Sequence, residues 1–200
     1  RLGIKPLFYA RQNGVLAFAS ELDALARGGF AEQGLNPGAI DAYFTYLYIP
    51  APDTVYKNVF KLLPGERLIL EQGRITREHY WRLEFKEEAS WTLDSAAEAF
   101  LALFTDAVRL QRISDVPLGA FLSGGMDSSA VVAVLSRSAE RPVKTFTIGF
   151  DDAHRDETRF ARIAATHFNT DHTEEILQPD MVETTGCFAR HFGEPFADSS

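Results

Sequence analysis

From Ser95 onward the chain alternates between helix-like and strand-like stretches, and this alternation restricts the fold more than any other feature. Ala97, Phe100, Leu101, Phe104, Ala107 and Val108 fall at helical spacing. Ser95 with Glu98 predicts a capping box at the start of that helix. Residues 116–122 read as a strand, 127–138 as a helix, 143–150 as a strand, 156–168 as a helix, 172–176 as a strand and 179–191 as a helix. Short apolar strands joined by helices of this length predict an α/β fold, a parallel sheet with crossover helices.

The first third follows a different logic. Residues 5–10 and 15–19 are short apolar runs around Gln12-Asn13-Gly14, an Asn-Gly hairpin signal. Residues 21–26, preceded by Ser20 and closed by Gly28 and Gly29, predict a short helix. Asn36 before Pro37 predicts an N-cap with proline at the first helical position, opening a helix to about Tyr46. Pro50 and Pro52 end it, and residues 66–70 and 74–80 flank Gln72-Gly73, a second hairpin signal. The polar, aperiodic stretch 86–90 predicts a linker. The chain therefore divides into an α+β piece, 1–85, and an α/β piece, 86–200, without internal repeats.

The charge balance is 20 Lys and Arg against 28 Asp and Glu, a net −8. That argues against nucleic acid as a partner, which needs a basic face. It leaves room for a small anion held by backbone N–H groups. The aromatics of 42–48 are accordingly expected in core and interdomain packing rather than on a stacking platform. No apolar run approaches the about 20 residues of a membrane span, so no membrane partner is expected. A single cysteine favours a reducing compartment, and hence a cytoplasmic location.

The chemistry concentrates in Leu118-Gly-Ala-Phe-Leu-Ser-Gly-Gly-Met-Asp-Ser-Ser-Ala130. A buried strand runs into Ser123, Gly124 and Gly125, and a helix begins at about Asp127. Glycines let the backbone turn tightly and approach a ligand, and loop amides converge with the helix N-terminus on an anion. Ser123, Ser128 and Ser129 add hydroxyls. Asp127 would repel a bare phosphate, so its place in the loop points to a bridging Mg²⁺. No Walker A lysine follows the glycines, Phe121 stands where a nucleophile elbow needs glycine, and Ser128 and Ser129 stand where a dinucleotide fingerprint needs its third glycine. The competing reading is a plain strand–helix turn capped by Asp127 or Ser128.

Ser123-Gly-Gly-Met-Asp-Ser-Ser129 resembles the SGGxDS pyrophosphate loop (PP-loop) of N-type ATP pyrophosphatases. Its surroundings resemble the glutamine-dependent asparagine synthetase family. Residues 2–9, Phe18-Ala-Ser-Glu21, Leu63-Pro-Gly-Glu66 and Tyr80-Trp81 are similar to the end of that family's glutaminase domain. Ser114-Asp-Val-Pro-Leu-Gly119 leads into the loop as it does there, and Glu194-Pro-Phe-Ala-Asp-Ser-Ser200 is similar to a later synthetase segment. Each motif is weak alone; their order along the whole chain is specific.

The resemblance implies the C-terminal part of a glutaminase α-β-β-α sandwich over 1–85, then the first half of a parallel-sheet ATP-pyrophosphatase domain over 86–200. It implies a ligase of asparagine biosynthesis: glutamine hydrolysis supplies ammonia, ATP adenylates the aspartate side chain with release of pyrophosphate, and ammonia displaces AMP. Substrates would be aspartate, glutamine and ATP, with Mg²⁺ as cofactor; a homodimer stays open. Ser123, Gly124, Gly125, Ser128 and Ser129 would cradle pyrophosphate, Asp127 would hold Mg²⁺, and Leu122 and Ile148 would contact the adenosine part of ATP.

The family's N-terminal nucleophilic cysteine and its second synthetase motif, SGxGxDE, are not in these residues, and the chain opens on Arg1. The expectation is an internal fragment, inactive alone and carrying no catalytic residue. Relatives acting on another acceptor, β-lactam synthetase-like or polysaccharide- or peptide-modifying, stay open, as does a non-catalytic nucleotide-binding module. Cys187, four residues before His191, is expected to be a buried structural cysteine. His167 and His172 are expected to be polar groups at a helix end and in the following strand. The acidic stretch 151–157 is expected to be a helix start capped by Asp156, with a supporting role toward metal left open.

Overall fold

The computed structural model describes residues 1–31, 34–87, 90–150, 156–177, 186–188 and 191–197. The chain forms two compact units, Arg1–Lys86 with Asp180–Ser200, and Glu87–Pro179.

In the first unit, β1 (Phe8–Gln12) and β2 (Val15–Ala19) form an antiparallel hairpin, and β3 (Val59–Lys61) pairs on the other side of β1. Asn13 and Gly14 both take positive φ, +51° and +79°, as a two-residue hairpin turn compatible with strand twist requires. The helices α1 (Leu22–Arg27) and α2 (Pro37–Tyr46) follow the hairpin in sequence. The Asn36 side chain accepts hydrogen bonds from the Gly38 and Ala39 amides, capping α2 as the Asn-Pro pair predicts. β4 (Glu66–Glu71) and β5 (Arg74–His79) form the second hairpin. Phe8, Ala10, Leu22, Leu25, Ala39, Ile49, Val55 and Val59 make the core. Full burial of an aliphatic side chain such as Leu22 contributes roughly 1.5–3 kcal/mol. Of the aromatics in 42–48, Tyr43 packs on this core as expected, whereas Phe44, Tyr46 and Tyr48 are exposed rather than in the core.

The second unit opens with α3 (Leu93–Gln111). Its N-cap is Thr92, in a reciprocal capping box with Ser95, so the helix starts earlier than the Ser95–Glu98 pattern predicts. Both patterns fit the sequence; Thr92 carries the extended backbone a cap needs (φ −92°, ψ 163°). The predicted apolar periodicity is present but not buried. Val108 alone of that helix lies in the interior, while Phe100, Leu101 and Leu103 are exposed.

A parallel sheet in the order β6 (Gly119–Phe121), β7 (Lys144–Phe150), β8 (Asp171–Leu177) alternates with α4 (Met126–Arg137) and α5 (Thr158–Phe168). This is the predicted α/β alternation, with β6 shorter than the predicted strand 116–122. Leu122, Val132, Ala161, Ala164 and Ala165 form the core. Most of 179–191 and all of 151–155 lie outside the described residues. Cys187 is exposed, which corrects the expectation of a buried cysteine. Among the described residues no helix is long and apolar enough to cross a membrane.

Candidate anion-binding site

The loop at the carboxyl end of β6 is fixed from both sides before it turns. The Leu122 amide donates to the Phe146 carbonyl at 2.9 Å, and the Leu122 carbonyl accepts from the Thr147 hydroxyl. The Leu122 side chain is wholly buried in the core, so it offers a ligand no side-chain surface.

Gly124 then takes φ +79°. A Cβ built there would stand 2.3 Å from the Phe160 carbonyl carbon and 2.5 Å from the Ala161 nitrogen. The glycine is therefore required by the backbone of α5, which seats the loop, as well as by its own φ. Gly125 is exposed, and a Cβ there would meet only the Ser123 hydroxyl at 3.3 Å. Of the two glycines, Gly125 is the one facing open space.

The serines brace the turn. The Ser123 and Ser128 hydroxyls lie 3.0 Å apart, the Ser123 amide donates to Ser128 Oγ at 3.3 Å, and the Gly125 amide donates to Ser123 Oγ at 3.3 Å. The Ser128 hydroxyl also reaches the Gly125 carbonyl, and the Ser129 amide donates to that carbonyl as the first helical bond of α4. The N-cap of α4 is Gly125, which has no side chain to satisfy the first-turn amides. Neither Asp127 nor Ser128 is the N-cap that the plain-turn reading requires. Asp127 is exposed in the first turn, where its charge also suits the helix dipole.

Ile148 sits on β7 in register with Glu175 of β8, with nearly half of its surface exposed. The fold thus joins Leu122, Ser123, Gly124, Gly125, Asp127, Ser128 and Ser129 in one turn and sets Ile148 on the neighbouring strand, one residue beyond the Thr147 that anchors the turn. A cavity of about 910 Å³ lies beside β6, lined by Val108, Leu118, Phe121, Ser128, Val131 and Leu135.

Behind the loop, α5 is anchored by charge. The Asp156 carboxylate accepts from the Thr158 amide at 3.1 Å and the Thr158 hydroxyl at 2.8 Å, which hold its pKa below the usual carboxylate range. This corrects the expectation of Asp156 as the N-cap. The helix begins at Thr158, and its N-cap is Glu157, whose side chain makes no capping bond. Asp156 bonds to Thr158 from the residue before the cap. Arg162 of α5 grips Glu174 of β8 with bonds of 2.6–2.8 Å, lowering the Glu174 pKa and raising that of Arg162. His172 shares a hydrogen bond with Thr145 at 2.8 Å, and His167 lies in the last turn of α5, as polar groups in the expected elements. Among the described residues no group of three or more His, Cys, Asp or Glu side chains is arranged to hold a metal ion.

Thr147 and the Phe160–Ala161 backbone are the parts of this site that motif reading does not reveal. The signal for Thr147 is its alternation with Phe146 and Ile148 in β7, which places its hydroxyl on one face of the strand with that of Thr145, where burial demands a partner.

The asparagine synthase family model matches residues 99–200, which include the whole loop. The chain belongs to the asparagine synthase family. The glutamine amidotransferase domain model matches residues 1–81. Among curated relatives, a putative glutamine-hydrolyzing asparagine synthetase 2 of Methanocaldococcus jannaschii is 35% identical over 100% of this chain and 40% of its own length. Glutamine-hydrolyzing asparagine synthetase 1 of Bacillus subtilis is 30% identical over 98% of this chain and 31% of its own. An amidase of Gibberella zeae is 28% identical over 92% of this chain and 30% of its own. The chain thus spans well under half the length of the family members it matches.

Proposed function

We propose that the intact protein is a glutamine-hydrolysing asparagine synthetase, with residues 1–85 the end of its glutaminase domain and 86–200 the start of its synthetase domain. The observation that carries the reading is the Ser123–Ser129 turn, seated at the carboxyl end of a parallel strand and opening α4 without a capping side chain. An oxygen of the aspartate side-chain carboxylate attacks the α-phosphorus of ATP, the bond to the β-phosphate oxygen breaks, and pyrophosphate leaves. Ammonia from glutamine attacks the acyl carbon of β-aspartyl-AMP, AMP leaves with the acyl oxygen, and nitrogen loses a proton.

In this scheme the turn holds the leaving pyrophosphate through backbone N–H groups and the Ser123, Ser128 and Ser129 hydroxyls, stabilising charge where it develops. Ile148 and the Leu122 backbone border the adenosine. One exposed carboxylate beside hydroxyls fits Mg²⁺, which binds through one or two carboxylates plus substrate phosphates, so Asp127 would hold it. The ion supplies neutralisation of phosphate charge. We place the protein in the cytoplasm on its single cysteine, and expect residues 1–200 alone to lack both activities.

Incubating the full-length protein with aspartate, ATP and glutamine tests the reading: asparagine, AMP and pyrophosphate are expected in equal amounts. Orthophosphate in place of pyrophosphate would refute adenylation, and no turnover would favour a nucleotide-binding module. A second reading is the same adenylation with another acceptor carboxylate, and the match to an amidase shows that similar proteins carry names other than asparagine synthetase. ATP–pyrophosphate exchange that needs an acid other than aspartate would select it. Asp127→Asn is expected to abolish Mg²⁺-dependent adenylation and to leave glutamine hydrolysis measurable.

A further inference from the structure

Glu194 lies in the stretch that matches asparagine synthase, yet its carboxylate is bonded to residues that match glutamine amidotransferase. Its Oε1 is 2.5 Å from Lys61 Nζ, and its Oε2 accepts from the Val55 amide at 3.3 Å. Lys61 ends β3 and also donates to the Ile49 carbonyl at 2.6 Å. Both side chains are largely withdrawn from solvent, Lys61 18% and Glu194 13% exposed. Their neighbours add to the attachment. The Ala197 amide donates to the Leu47 carbonyl at 2.8 Å, and Gly193, at φ +70°, leaves a Cβ only 3.3 Å from the Asp23 nitrogen.

A surface ion pair would gain little, whereas a withdrawn pair whose oxygens and ammonium have further hydrogen bonds fixes geometry and is costly to break on one side. The contacts join one short segment to α1, to the end of α2, to the 49–55 loop and to β3. The same chain, upstream, forms the strands and the anion-binding turn of the second unit.

We propose that Lys61 and Glu194 form a latch fastening the synthase-matched segment 193–197 onto the amidotransferase unit, and that the latch keeps ammonia release matched to its consumption. The second clause rests on the function proposed above; the first does not. Lys61 and Glu194 act here as positioning residues, since neither belongs to the anion-binding turn.

The test uses the full-length protein with Lys61→Met, Glu194→Gln and the double variant. Three quantities are read: glutamine hydrolysed, amide formed from ammonium salt, and amide formed per glutamine hydrolysed. Each single variant is expected to lower the yield per glutamine severalfold while amide formation from ammonium stays near the parent rate. The double variant is expected to be no worse than the poorer single one, as for partners in one interaction. Hydrogen exchange at the Val55 and Ala197 amides should quicken in all three.

An unchanged yield with unchanged exchange overturns the latch. Faster exchange with an unchanged yield overturns its role in coupling. A joint loss of glutamine hydrolysis and ammonium-dependent synthesis reduces the pair to ordinary stability and overturns that role as well. A parent protein that forms no amide overturns the proposed function instead, and exchange at the two amides still decides whether the latch exists.

Discussion

Thr147 shows how one hydroxyl can govern a loop it does not belong to. Its Oγ1 donates to the Leu122 carbonyl, the last backbone group before Ser123. Thr147→Val keeps the shape and removes the donor, so the buried carbonyl loses a partner at a cost of about 1–3 kcal/mol. Thr147→Val is expected to lower the Tm and weaken pyrophosphate binding by titration calorimetry, and Thr147→Ser to restore both. Equal pyrophosphate affinity in the valine variant would show that the turn holds its shape without this bond. Gly124→Ala is expected to be more damaging still, because the new Cβ meets α5 backbone rather than a movable side chain. A Tm within a degree of the parent's would contradict that seat. The Ser-Gly-Gly-Met-Asp-Ser-Ser run was legible because its residue types are unusual together and adjacent in sequence. Thr147 and Ala161 were not, because they reach the loop only through strand pairing and helix packing.

At the level of elements, α5 is held at its start by Asp156 and along its length by the Arg162–Glu174 pair. Both carboxyls have folded-state pKa values below their ordinary ones. The unfolded chain therefore binds more protons in the acid range, and stability rises with pH there. Their contribution is fully present above the ordinary carboxylate pKa of about 4 and is lost as pH falls through the lowered folded values. Denaturant midpoints measured in the full-length protein from neutral pH downward should fall in that window. Glu174→Gln should flatten the fall and lower the neutral-pH midpoint; an unchanged acid slope would show that the pair is screened. Element order and type in this region were readable from periodicity, whereas helix starts were not. Thr92 and Ser95 are both acceptable caps in sequence, and backbone geometry chose Thr92.

At the level of the whole molecule, β7 inverts the usual reading of an alternating strand. Lys-Thr-Phe-Thr-Ile-Gly-Phe suggests aromatic and aliphatic side chains inward and threonines outward. The structure buries Thr145 and Thr147, while Phe146 is 39%, Ile148 45% and Phe150 41% exposed. Thr145 finds partners in Thr170 and His172, and Thr147 in Leu122, so the hydroxyls can be buried without penalty. The opposite face carries Phe146, Ile148 and Phe150, continued by Phe121 across the β6–β7 register and Leu177 across β7–β8. A parallel sheet ordinarily has both faces covered, and an open apolar face of this kind binds apolar probes. Residues 1–200 are therefore expected to enhance the fluorescence of an anilinonaphthalene dye and to scatter more light as concentration rises. Phe146→Thr with Phe150→Thr should reduce both signals while the far-ultraviolet circular dichroism stays unchanged, because neither side chain supports the α5 side of the sheet. Equal dye binding by parent and variant would place the apolar surface elsewhere, on the exposed face of α3 that carries Phe100 and Leu103.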